Sequence, residues 1–146
     1  MRESAMTTIE KASGSCLCGE VTFEAEGVDA HIHGCHCHMC RNWSGGPMLA
    51  ANARTVRFNN DSLITRYDSS DWAERGFCSR CGSNLYYRLK EPEQYVLCMG
   101  AFDDPAAFEL VGEIYVDEKP PGYDFAGEHP RQTGAEFLAA MGISGD

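Results

Sequence analysis

Apolar and polar residues alternate in short stretches along most of this chain, and each stretch stops at a turn signal. Between positions 20 and 26, Val21, Phe23 and Ala25 alternate with polar residues, and the run ends at Gly27. That is the period of a half-buried strand. Thr55-Val56-Arg57-Phe58 alternates in the same way and meets Asn59-Asn60-Asp61, a turn composition. The pattern resumes over 63–67, so 55–58 and 63–67 are expected to form a hairpin. Stretches at 85–89, 95–99 and 113–116 complete a set of about six short strands. Helix is scarce. Asp104 followed by Pro105 suits a turn or two. Nearer the end, Thr133 and Glu136 make a capping box, Phe137, Leu138 and Met141 form an apolar stripe, and Gly142 is a stop. One short amphipathic helix is expected there, packed on the domain or on a second subunit.

Length and composition add one globular domain to this picture. The chain has 146 residues, 43% of them hydrophobic, and no stretch apolar enough to cross a bilayer. Its net charge of −10 disfavours phosphate backbones and anionic lipid, so neither nucleic acid nor membrane is an expected partner. The oligomeric state stays open.

The eight cysteines change the picture most. Cys35, Cys37 and Cys40 lie within six residues, and Cys16/Cys18 and Cys78/Cys81 form two further pairs. A disulfide framework needs an oxidising compartment, and the first ten residues hold no apolar run of signal length. A C-x-C spacing is cramped for a disulfide and comfortable for two ligands of one metal. Metal and a cytoplasmic location are therefore expected. Soft thiolates suit zinc; four cysteines also suit an iron–sulfur cluster, and zinc leads on frequency alone. Four ligands make a closed site. Three leave a coordination position open, which is the arrangement of a catalytic zinc. By spacing alone, Cys16/Cys18 could join either downstream cluster. Cys98, in an alternating strand, reads as a small buried hydrophobe.

Four ordered motifs carry a resemblance. They are Gly14-Ser15-Cys16-Leu17-Cys18-Gly19; Cys35-His36-Cys37 with Cys40-Arg41 and Ser44-Gly45; Arg75-Gly76-Phe77-Cys78 with Cys81-Gly82; and Gly100 with Phe102-Asp103-Asp104-Pro105. Over residues 14 to about 125 the chain resembles the glutathione-dependent formaldehyde-activating enzyme family, whose fold is mainly β and Mss4-like. The resemblance implies a flexible segment over 1–13, a zinc-binding domain over 14–125 built of short antiparallel strands around zinc knuckles, and a tail over 126–146 with the short helix. It implies two zinc ions per chain. Cys16, Cys18, Cys78 and Cys81 would hold a structural zinc; Cys35, Cys37 and Cys40 would hold a second, open zinc that need not be fully occupied. The implied activity is a carbon–sulfur lyase or synthase that forms or cleaves S-hydroxymethylglutathione, with glutathione or another small thiol–aldehyde adduct as substrate. The alternative is a non-enzymatic zinc module, of binding or chaperone-like type, on the same scaffold.

The residues around the central cluster refine that expectation. In an extended loop His36 and His38 point away from the thiols of Cys35 and Cys37, which favours supporting or exposed histidines over an acid/base role. His31 and His33 could supply a fourth ligand, although solvent is the safer expectation. Arg41 adjoins the metal loop; it could meet a substrate carboxylate in bidentate fashion or bond loop carbonyls. Trp43 reads as packing, and Ser44 to Pro47 as a tight turn shaping the mouth of the site. Where family members often have a histidine and a tryptophan, this chain has Glu113 and Gly122. Those two are expected to give the pocket a more acidic, differently shaped edge.

Overall fold

A computed structural model describes residues 8–142 of the chain. It is mainly β. The strands are β1 (Thr8–Ser15), β2 (Thr22–Asp29), β3 (His31–Cys35), β4 (Met48–Asn59), β5 (Ile64–Asp68), β6 (Ala73–Cys78), β7 (Asn84–Lys90), β8 (Glu93–Cys98), β9 (Glu109–Ile114) and β10 (Arg131–Gln132). Two seven-residue helices join them, α1 (His38–Ser44) and α2 (Gly134–Ala140). None of the described helices is long and apolar enough to cross a membrane. The described residues form two compact units: 8–32 with Ala50–Glu109, and His33–Leu49 with 110–142. The boundary expected at 125/126 thus falls inside the second unit.

In the first unit the strand order is β1-β2-β4-β8-β7-β6-β5, with every pairing antiparallel. The alternation read over 20–26 is the reason β2 buries Phe23 and Ala25 while its polar residues stay at the surface. Phe23 stands opposite Phe58 of β4 in register. Their rings begin a chain of aromatic contacts: Phe23–Phe58 at 5.7 Å, Phe58–Tyr86 at 5.3 Å, Tyr86–Tyr95 at 5.0 Å and Phe23–Phe102 edge-on at 5.4 Å. Such pairs add to the burial of their large apolar faces. The Gly100–Pro105 motif folds onto the first one. Asp103 N–H donates to Ser13 O (2.9 Å), and Ser13 Oγ donates to Asp103 Oδ2 (2.8 Å).

Several sequence expectations need correction here. The stretch 55–58 does not form a hairpin with 63–67. It is the end of β4, paired with β2, while β5 pairs with β6. Asn60 adopts a left-handed conformation, and a 3₁₀ turn over Asp61–Leu63 redirects the chain instead of closing a two-residue loop. Residues 8–13, expected to be flexible, lie in β1, whose broken alternation reflects an exposed edge position. Residues 1–7 lie outside the described residues. Asp104 gives no side-chain cap, and the predicted helical turn is the single 3₁₀ turn Pro105–Ala107.

The second unit has the order β10-β9-β3, with β10 parallel to β9. Its C-terminal α2 carries the expected capping box: Thr133 Oγ1 accepts from Glu136 N–H (3.1 Å), and Glu136 Oε1 accepts from Thr133 N–H (2.8 Å). Phe137 and Leu138 are half-buried, but Met141 is exposed and falls outside the stripe.

Gly76 offers a direct check of packing in the first unit. A Cβ there would sit 2.4 Å from Tyr86 Cζ, and the Tyr86 ring is fully buried and bonded through its hydroxyl to Arg66 Nε at 3.1 Å. Gly76→Ala is therefore expected to destabilise the protein by about 1–3 kcal/mol, the usual cost of overpacking. Urea unfolding measures it, and an unchanged midpoint would show that the Tyr86 ring yields freely.

Candidate metal centres

Two knuckles build the first cluster, both within the first unit. Cys16 and Cys18 follow β1; Cys78 ends β6 and Cys81 lies in the turn before β7. Each turn closes on its own backbone, through Gly19 N–H to Cys16 O (3.1 Å) and Gly82 N–H to Cys78 O (2.8 Å). Both glycines stand at φ +81°, a conformation that a Cβ would strain. The four sulfur atoms lie within 4.8 Å of one another. Backbone N–H groups point at them: Val21 to Cys16 (3.3 Å), Cys18 to Cys81 (3.4 Å), and Arg80 to Cys78 (3.4 Å).

The second cluster lies in the second unit, where β3 runs into α1. Cys35 ends the strand, Cys37 is the N-cap of the helix, and Cys40 is buried in its first turn. Their three sulfur atoms also lie within 4.8 Å of one another. Cys40 N–H donates to Cys37 Sγ (3.4 Å), and the thioether of Met48 sits 3.9 Å from Cys40 Sγ. The extended loop expected here is therefore extended only to Cys37; from His38 onward it is helical, started by the Cys37 cap and a 2.7 Å bond from His38 N–H to Glu118 Oε1.

Neither cluster can ionise fully on its own. Hydrogen bonds from Cys35 and then Cys40 pull the Cys37 thiol down to about 2. The same contacts with Cys37 and Cys40, together with burial, push the Cys35 thiol far up. One negative charge is stabilised in the group and further ones are resisted. In the first cluster the Ser83 hydroxyl and the Cys18 N–H bring Cys81 down to about 5. Cys18 rises to about 12; a backbone hydrogen bond at Glu20 lowers it, but burial and the neighbouring sulfurs prevail. A bound cation removes that conflict, because metal coordination deprotonates a thiol outright.

The donor sets fit such a cation. Zinc–sulfur bonds of about 2.3 Å at tetrahedral angles place ligand sulfurs about 3.8 Å apart. Cys16–Cys18 and Cys18–Cys78 stand at 3.5 and 3.9 Å. Both clusters could hold a metal ion and are compatible with zinc.

The family model described as "Glutathione-dependent formaldehyde-activating enzyme" matches residues 11–118. The chain belongs to that family. Among curated relatives it is similar to an uncharacterized lyase of Schizosaccharomyces pombe, 29% identical over 88% of this chain and 95% of that one. It is similar also to a provisionally named glutathione-dependent formaldehyde-activating enzyme of Halomonas elongata, 29% identical over 89% of this chain and 96% of the relative. A crystal structure of a Rhodobacter sphaeroides protein shares the fold. It has a TM-score of 0.55 and 24% identity, over 82% of this chain and 98% of that one.

All seven cysteines singled out in this family member gather as expected into a group of four and a group of three. Cys98 is half-buried in β8 opposite Ala50 and belongs to neither. His31 and His33 also lie outside both groups. Arg41 is half-buried, and its Nε donates to the carbonyl of His36 (2.9 Å), the loop-carbonyl option. Trp43 is half-buried and His38 exposed. Glu113 is the clearest departure from expectation. It is no pocket edge: its side chain is 1% exposed and engages His36, His129 and Arg131. Gly122 lies on an exposed turn with open space around it.

Sequence reasoning also passed over Tyr115. Its backbone stands at φ +58°, an outlying conformation for a bulky residue that costs about 1–3 kcal/mol. Its ring packs on Phe137 at 6.1 Å, and a Cβ on Gly134 would meet it at 2.4 Å. Burial first, then the negative charge of Cys37 and Cys35, push the phenol upward, so it stays protonated at neutral pH. An aromatic residue directly after a strand is an ordinary sequence feature, and nothing in it signals positive φ.

The four-sulfur cluster joins segments 60 residues apart. Cys81→Ser should therefore lower metal content by one ion per chain and lower the urea midpoint well below that of Cys98→Ser, since structural zinc contributes folding energy directly. Equal midpoints for the two variants would mean that no metal ties these strands.

Proposed function

We propose that this chain is a zinc-dependent enzyme that forms or cleaves a thiol–aldehyde adduct of the S-hydroxymethylglutathione type. In this reading Cys16, Cys18, Cys78 and Cys81 hold a structural zinc, and Cys35, Cys37 and Cys40 hold the reactive one. The observation that carries it is the three-sulfur group itself: three donors within 4.8 Å of one another, with no fourth cysteine, histidine or carboxylate joining them among the described residues. A metal held by these three cysteines would leave room for an exogenous ligand, and its positive charge would favour the thiolate form of a substrate sulfur.

In the synthetic direction the substrate sulfur loses its proton and forms the S–C bond to the aldehyde carbon. The carbonyl π pair moves to oxygen, which then takes a proton. Tyr115 is a hydroxyl donor kept protonated beside Cys35 and Cys37, and it supports this reading as the source of a hydrogen bond to the developing alkoxide. Arg41 supports it as the anchor for a glutathione carboxylate. Its Nε is committed to the His36 carbonyl, and its two terminal nitrogens have no hydrogen-bond partner among the described residues. A guanidinium can present such a pair to a carboxylate in bidentate fashion.

The non-enzymatic reading has one observation in its favour, the Met48 thioether 3.9 Å from Cys40 Sγ, which covers the cluster with a further soft atom. Cys40→Ser separates the two readings. For an enzyme the variant should lose one zinc and at least 100-fold in adduct turnover, while its far-UV spectrum and four-cysteine metal are retained. A structural second site would instead show global unfolding. Tyr115→Phe should lower kcat by about 100-fold with metal content unchanged, within the usual range for a lost proton donor. An unchanged kcat would remove Tyr115 from the chemistry.

A further inference from the structure

His36 sits between two of the three clustered cysteines without joining their group, and every polar atom it owns is held. Its N–H donates to Ile114 O at 3.1 Å, and its carbonyl accepts from Arg41 Nε at 2.9 Å. In the ring, Nδ1 pairs with the Tyr123 hydroxyl and Nε2 with Glu113 Oε1, each at 2.8 Å. The side chain is 0% exposed. A neutral ring satisfies both contacts when Nε2–H donates to the carboxylate and Nδ1 accepts from the phenol. On its far side Glu113 Oε2 accepts from His129 Nε2 (2.6 Å) and Arg131 Nε (3.0 Å). Arg131 is itself fixed, donating to Phe125 O and Gly127 O at 3.0 Å each. The carboxylate thus accepts three hydrogen bonds, and these outweigh the burial that would otherwise raise it, so it stays below the ordinary carboxylate range.

We propose that Glu113 and His36 are positioning residues for the second metal: by locking His36 from both ends, Glu113 sets the directions of the flanking thiols and so the affinity of the three-cysteine site. This rests on the reading of Cys35, Cys37 and Cys40 as metal ligands. The reason is geometric. Along extended backbone, residues 35 and 37 project to one side and residue 36 to the other. Fixing the middle side chain in a buried nest fixes the Cα–Cβ directions on both sides of it. A site with one ligand fewer than a closed cage gains more from such preorganisation, because each misplaced thiol removes a third of its donors. Groups outside the ligand set commonly change metal affinity by 10–100-fold when altered. Gln at position 113 keeps the volume but turns one oxygen into an NH₂ group, which either meets the His129 and Arg131 donors head-on or forces the His36 ring into its other tautomer, with Nδ1–H toward Tyr123.

Cobalt(II) titration of the full-length apo-protein tests this, because thiolate-to-cobalt bands report on each site without reference to turnover. The four-cysteine site of the first unit serves as an internal control of folding. The wild type is expected to take up two cobalt ions. Glu113→Gln should take up the first with unaltered spectrum and affinity and bind the second at least tenfold more weakly, with a shifted ligand-field spectrum. A second cobalt bound with wild-type affinity and spectrum overturns the inference. Should Glu113→Gln lose both signals through misfolding, Tyr123→Phe decides, since it removes only the phenol–Nδ1 bond. Weakened second-site binding by that variant upholds the inference, and unchanged binding overturns it. A wild type that takes up a single cobalt refutes the metal reading of the second cluster, and this inference with it.

Discussion

Thiolates held within 4.8 Å of one another repel unless a positive charge sits among them, and the fold around the knuckles is organised to bring their sulfurs that close. Cys16 and Cys18 leave the end of β1, and Cys78 and Cys81 leave the end of β6, 60 residues further on. They meet only because the antiparallel order from β2 through β4, β8 and β7 carries the chain to that place. A cation shared there would convert a point of repulsion into a cross-link over a long loop. Its contribution does not depend on core volume.

The two clusters solve the same electrostatic problem with different neighbours. Around the first, backbone N–H groups and the Ser83 hydroxyl point at the sulfurs, so a cation completes an environment already suited to thiolates. In the second, Cys37 Sγ accepts from the backbone N–H of Cys40, and a thioether lies against Cys40. Behind it lie a histidine outside the sulfur group and a carboxylate buried beyond that histidine.

What could be read in the sequence followed from strong local signals. Cysteine spacing marked the three ligand motifs and the family resemblance paired the outer two, Thr133 and Glu136 declared the start of α2, and the 20–26 alternation located β2 and its buried face. Features set by tertiary context escaped. The Asn59-Asn60-Asp61 turn looks like a hairpin loop, yet its left-handed Asn60 and the 3₁₀ turn after it send β5 to a different partner. α1 was hidden because its seven residues show no helical apolar period, and its cap is a cysteine. β1 and β10 escaped for a related reason: an exposed edge strand and a two-residue pairing leave little pattern to see.

Glu113 shows how a single charged residue can be misread from sequence. Its charge, taken alone, suggests an acidic rim beside a cluster of thiolates, which would weaken any anionic substrate. In the fold it carries three donors, two from histidines and one from Arg131, and its field is largely cancelled where it stands. A buried carboxylate is tolerated only with such compensation, and removing one partner is what makes it costly. His129 and Arg131 lie 16 and 18 residues away along the chain, beyond the span of any local pattern. Their pairing with Glu113 ties the segment before α2 to the strand that supports the metal loop. The substitution that looked like a loss of a familiar pocket residue is thus coupled to partners elsewhere in the chain, and its consequence lies in the geometry of the cluster more than in the charge of its surface.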